Sequence, residues 1–103
     1  MKVFRGADFT ASQAWGALNM ALMNGVSVRL HWTNQAYKWH VNEGQEVFVV
    51  LDGTVVMHYR EKGLESHVTL KAGDIFVADL GCEHVAHPVG EARILVIESE
   101  GSV

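Results

Sequence analysis

The stretch "EVFVVLDGTVVMHYR", residues 46–60, decides the fold. Two valine-rich runs flank Asp52 and Gly53. β-Branched side chains suit a pleated strand and crowd the preceding turn of a helix, and an Asp-Gly pair tolerates the positive φ of a tight reversal. The stretch therefore predicts two strands joined as a β-hairpin. Strand alternation puts Glu46, Phe48 and Val50 on one face and Val47, Val49 and Leu51 on the other. Both faces are largely apolar. If Glu46 faces the core, its desolvation must be offset by a cation or by hydrogen bonds.

The same rhythm continues outward. Strands are predicted at "HVTLK", "IFVAD", "EHVAH" and "ARILVIE", with turns at Lys62-Gly63 and Ala72 to Asp74. Their close spacing makes antiparallel connections the simplest account and predicts an all-β sandwich or barrel. The N-terminal stretch "TASQAWGALNMALMNG" has a helical face in Ala11, Ala14, Trp15, Leu18 and Leu22, with Thr10 as a possible N-cap. Gly16 weakens that helix. The preferred reading is a short helical turn to about Trp15, then a strand "ALNMALM" that pairs across Asn24-Gly25 with "VSVRLHW".

The 103 residues suit one domain, and 49% hydrophobic against 19% charged residues is a globular balance. A formal charge of -4, with eight scattered Lys and Arg, argues against nucleic acid as a partner. The start "MKVFRGADFT" turns polar too soon for a signal peptide, and no run is long enough to span a membrane, which predicts a cytoplasmic protein. The lone cysteine, Cys82, excludes an internal disulfide framework and a multi-cysteine zinc site.

Chemistry concentrates in two separated stretches. In "KWHVNEGQEVF", His40 and Asn42 share parity, and the polar "NEGQ" is short enough to return them alongside Glu46. In "KAGDIFVADLGCEHVAHP", His84 follows turn residues and supplies a second imidazole. Two imidazoles and a carboxylate on a rigid β scaffold suit Fe(II) and also accept Mn, Co, Ni or Zn. The plainer alternatives are a solvated loop histidine, a hydrogen-bonded core histidine and a strand-edge carboxylate. His31, His58, His67 and His87 alternate with apolar neighbours as structural or exposed strand residues do, and His87 has opposite parity to His84. Trp32, Tyr37, Trp39 and Phe48 are candidates to wall a ligand pocket.

The order His40, x, Asn42, three residues, Glu46, six residues, Gly53 resembles the first cupin motif. Gly73, five residues, Asp79, x, Gly81, two residues, His84 resembles the second. Three positions depart: Asn42 stands where a second histidine is usual, Asp79 replaces a proline and Asn34 replaces a glycine. The resemblance covers about residues 26–98 and looks especially like small single-domain bacterial cupins labelled mannose-6-phosphate isomerase-like. It implies a cupin jelly-roll β-barrel, with at most a short N-terminal helical turn, as one domain over residues 1–103.

By the same resemblance the metal ligands are His40, Glu46 and His84, with Asn42 as a weak fourth ligand or a partner of bound water. The cofactor implied is a divalent transition metal ion: Fe, Mn, Ni, Co or Zn. The activities open to such a site on a small polar metabolite are isomerase, lyase and dioxygenase chemistry. The alternatives are a non-catalytic module that captures a small molecule, with or without metal, and a metal-free structural barrel. The implied partners are a small-molecule ligand and a second copy of the chain, through the strands up to about Trp32.

Overall fold

The computed structural model describes residues 1–102. Among these residues, nine strands follow one 3-10 turn at Gly6–Asp8: β1 Gly16–Met23, β2 Val26–Thr33, β3 His40–Val41, β4 Glu46–Asp52, β5 Thr54–Glu61, β6 Leu64–Lys71, β7 Ile75–Ala78, β8 Glu83–Pro88 and β9 Ala92–Ser99. They form two antiparallel sheets in the orders β1-β2-β9-β4-β7 and β3-β8-β5-β6. The described chain is all-β, and its two facing antiparallel sheets make the expected jelly-roll sandwich. No helix among the described residues is long and apolar enough to cross a membrane.

Two connections are tight hairpins. Asn24-Gly25 joins β1 to β2 and Lys62-Gly63 joins β5 to β6, and in each both central residues have positive φ, as the twist-matched two-residue turn requires. The hairpin expected at Asp52-Gly53 is not formed. β4 and β5 lie in different sheets, so Asp52-Gly53 is a corner between them. Gly53 has φ 85° and Asp52 is not left-handed. The register of β4 against β9 slips between Val50 and Asp52, so Leu51 is an extra residue that bends the strand. A Cβ at Gly53 would sit 2.4 Å from the Glu91 carbonyl oxygen, so the corner presses against the start of β9.

The N-terminal reading also needs correction. The helical turn lies at Gly6–Asp8, not in the stretch up to Trp15, which is bends and a turn closed by the Gly16 N–H donating to the Gln13 carbonyl at 3.1 Å. The strand after it pairs with β2 as expected, with a bulge between Asn19 and Ala21.

The core between the sheets is built by Phe48, Val50, Val55, Met57, Leu70, Ala86, Ala92, Ile94 and Val96. Its inward rows change character in a common direction. β4 runs from Val50 and Phe48 to Glu46, and its partner β9 from Ile94 and Val96 to Glu98, while β8 runs from Ala86 to His84. An apolar core thus gives way to a polar pocket at one end of the sandwich.

Candidate metal centre

His40 and His84 are direct cross-strand partners on β3 and β8, with ring centroids 4.1 Å apart. The loop "NEGQ" does not bring His40 beside Glu46 in one sheet. It carries the chain across to the other sheet, so the carboxylate faces the two imidazoles from the opposite wall. Glu46 Oε1 lies 3.0 Å from His84 Nε2 and 3.9 Å from His40 Nε2. Glu46 and His84 are buried, with 6% and 1% exposure.

The hydrogen bonds behind the two imidazoles determine what this trio can hold. His40 Nδ1 lies 3.1 Å from the Lys38 carbonyl oxygen and His84 Nδ1 lies 3.4 Å from that of Cys82. A carbonyl only accepts, so Nδ1 carries hydrogen in both rings, and each Nε2 lone pair turns toward Glu46 when its ring is neutral. Backbone carbonyls behind metal-ligating imidazoles set the tautomer in this way. The three donor groups approach within 4.8 Å of one another and can hold a metal ion. Without a cation the same geometry favours an ion pair. Burial would raise the Glu46 pKa, but the two imidazoles outweigh it and lower it to about 2. The His40 pKa is raised, chiefly by Glu46 and against the effect of burial.

Asn42 sits beside the trio with its amide engaged. Its Nδ2 donates to the Ala78 carbonyl at 3.1 Å, its backbone N–H donates to the Cys82 carbonyl at 3.2 Å, and its own carbonyl accepts from Gly81 at 3.0 Å. It lines a small recess next to Glu46, not the main cavity.

That cavity, of about 200 Å³, opens over the trio. Of the aromatic residues expected to wall it, Tyr37 and Phe48 do so. Trp32 instead donates its indole N–H to Glu91 at 2.9 Å, and Trp39 carries the Arg60 guanidinium 3.7 Å above its ring. Trp15 takes their place, 5.2 Å from Tyr37, which in turn lies 5.3 Å from His40. Arg29, His31, Glu98 and Ser102 add polar lining. Glu98 stands opposite Glu46 in the β4–β9 register, and burial followed by repulsion from Glu46 raises its pKa. Along β2, Arg29, His31 and Thr33 alternate with Val28, Leu30 and Trp32, a pattern that by itself would turn the apolar row to the core, whereas His31 lines the cavity, so alternation gave no signal for this wall. Cys82 lies outside this cavity. Burial and then acidic neighbours raise its pKa, which keeps it a thiol.

The family described as Cupin domain matches residues 28–98. The 3-hydroxyanthranilate 3,4-dioxygenase of Bos taurus is 32% identical over 65 residues, 63% of this chain and 23% of the relative. The chain thus spans about a quarter of the length of the curated relatives it matches. A cupin-2 domain containing protein from Shewanella frigidimarina is similar in structure, with TM-score 0.77 and 30% identity, covering 87% of this chain and 85% of that one. A hydroquinone 1,2-dioxygenase in complex with Fe3+ gives TM-score 0.78 at 16% identity, covering 87% of this chain and 29% of that one, and shares the fold.

Proposed function

The chain belongs to the cupin domain family, and from that premise we propose that it is a metal-dependent dioxygenase of a small hydroxylated ring compound, with His40, Glu46 and His84 as the metal ligands. One observation carries the reading: both imidazole Nε2 atoms and a buried carboxylate meet beneath a cavity walled by Trp15, Tyr37 and Phe48. Two imidazoles and one carboxylate, with coordination positions left open, suit a non-haem ferrous ion, which when bound supplies dioxygen chemistry. The dioxygenase names of the relatives agree with this choice over isomerase or lyase chemistry.

The protein's own groups have separate tasks in this reading. The Lys38 and Cys82 carbonyls fix the imidazole tautomers, the aromatic rings exclude water and hold a flat ligand by its faces, and Arg29 and Glu98 set the charge of the wall. A cavity of about 200 Å³ suits a single substituted ring better than a dinucleotide. In this reading Asn42 positions Glu46, by donating its Nδ2 hydrogen to the carbonyl of Ala78, the cross-strand partner of Glu46. The proposed assembly is a homodimer.

Metal analysis after chelator-free purification, and after reconstitution with Fe(II), Mn(II), Co(II), Ni(II) or Zn(II), should find about one ion per chain. His84→Ala and Glu46→Gln should each remove most of it, and the Fe(II) form should consume oxygen with a dihydroxybenzene or hydroxybenzoate. A chain that stays empty under all five metals refutes the site. Saturable ring binding with no oxygen uptake would identify a binding module instead.

A further inference from the structure

His31 lies outside both motifs and outside the trio, yet its side chain lines the same cavity. It sits on the inward face of β2, opposite Ile94 of β9. Its Nδ1 lies 3.2 Å from the Trp15 carbonyl oxygen, and its ring meets the Trp15 indole edge to face at 5.9 Å. Trp15 is itself held in place. Its indole N–H donates to the Gln35 carbonyl at 2.9 Å, and its φ of 60° is a conformation bulky residues adopt only when their surroundings impose it.

The Trp15 oxygen can only accept, so in the neutral ring Nδ1 carries the hydrogen and Nε2 the lone pair. No described residue hydrogen-bonds Nε2, and no buried polar side-chain atom among the described residues lacks a partner. Nε2 therefore opens onto the cavity as an unused acceptor. Burial lowers the His31 pKa despite the Trp15 hydrogen bond, which keeps the acceptor available at neutral pH. The charged and titratable groups around it are Arg29 on its own strand, Glu98 on β9, Glu46 on β4, Tyr37 ahead of β3, His40 on β3 and His84 on β8, all lining the cavity.

We propose that His31 is the specificity-determining residue of this cavity, and that its Nε2 accepts a hydrogen bond from a hydroxyl of the bound ring. The proposal rests on the ring-binding reading above and adds to it the group that recognises the ligand's O–H. A site built around an acceptor rejects an analogue that cannot donate, because the acceptor is then buried unpaired.

The test uses catechol and its dimethyl ether, veratrole, which has no O–H to donate, bound anaerobically to the Zn(II)-loaded full chain. The metal also distinguishes the two probes, so the quantity of interest is the change in the catechol-to-veratrole affinity ratio on mutation. His31→Phe should lower that ratio by about tenfold at unchanged zinc content. His31→Gln, which keeps both a donor for Trp15 and an acceptor for the ligand, should retain most of it. A folded, zinc-loaded Phe variant with the wild-type ratio overturns the proposal. Should that variant not fold, the wild-type chain decides: the Nε2 nitrogen resonance of His31 should move with catechol and not with veratrole, and a resonance that ignores catechol overturns the proposal. Loss of zinc from the wild-type chain would instead count against the metal centre, so the two failures are distinct.

Discussion

Glu46 illustrates how one carboxylate serves two opposite protonation regimes. In the metal-free chain its lowered pKa contributes stability that is present above the ordinary value of 4.5 and lost as pH falls toward about 2. His40 has a raised pKa, so its contribution is full below 6.5 and is lost as pH rises through the raised value. A cation needs both imidazoles neutral, so metal binding releases protons and strengthens as pH rises. The share of the chelator-treated protein's melting temperature that His40 supplies, read as the difference from His40→Gln, should therefore fall from pH 6 to pH 8, whereas the stabilisation added by zinc should grow over the same interval. Parallel slopes in thermal melts with and without zinc would contradict this assignment. Asn42 gives a second prediction at this scale. Asn42→Ala leaves the buried Ala78 carbonyl without its donor and should cost about 1–3 kcal/mol in urea denaturation while metal stoichiometry is kept. Loss of the metal with stability unchanged would make Asn42 a ligand. The motif spacing singled out His40, Glu46 and His84, whose donor atoms the two sheets hold within 4.8 Å of one another. It said nothing of His31 and Trp15, which reach the cavity from strand β2 and from the turn before β1 through contacts across the fold.

The elements show where local sequence stops being sufficient. Alternation and turn chemistry act over a few residues, which is why the strands from β4 to β9 and the turn at Asn24-Gly25 were legible. Asp52-Gly53 carries the same dipeptide signal as a hairpin turn, but the path of the chain beyond it depends on distant partners. The extra residue Leu51 bends β4, Arg93 binds Asp52 at 2.8 Å, and Gly53 presses on Glu91. The chain then enters the second sheet, which the twist and layering of the whole sandwich decide. The two glycines should respond differently to alanine. Gly25→Ala meets open space and only the left-handed penalty, roughly 1 kcal/mol. Gly53→Ala adds a 2.4 Å clash with backbone and should cost about 2 kcal/mol or more. Equal losses in denaturant midpoint would mean that the corner is no tighter than the hairpin.

At the scale of the molecule, the two faces of the five-stranded sheet have different fates. Its inner face closes the cavity. Its outer face carries Val28, Val47, Val49, Leu95 and Ile97 toward the middle, partly covered where the Gly6–Asp8 turn packs on β4 and β9. Toward the two edges it leaves Leu18 and Met23 on β1 and Ile75 and Val77 on β7 exposed. Exposed apolar side chains flanking a half-covered apolar sheet lower their free energy by meeting a matching surface, and in the proposed homodimer a second copy would supply that match by two-fold symmetry. Sedimentation at micromolar concentration should therefore show a dimer. Val77→Lys or Leu18→Lys should yield monomers that still bind one metal ion, since both side chains lie on the opposite side of the sheet from His40, Glu46 and His84. A wild-type chain that sediments as a monomer would show that the N-terminal segment suffices to cover this face. Dimers that survive both lysines would place the contact on the other sheet, where Leu64 and Val68 line the exposed strand β6.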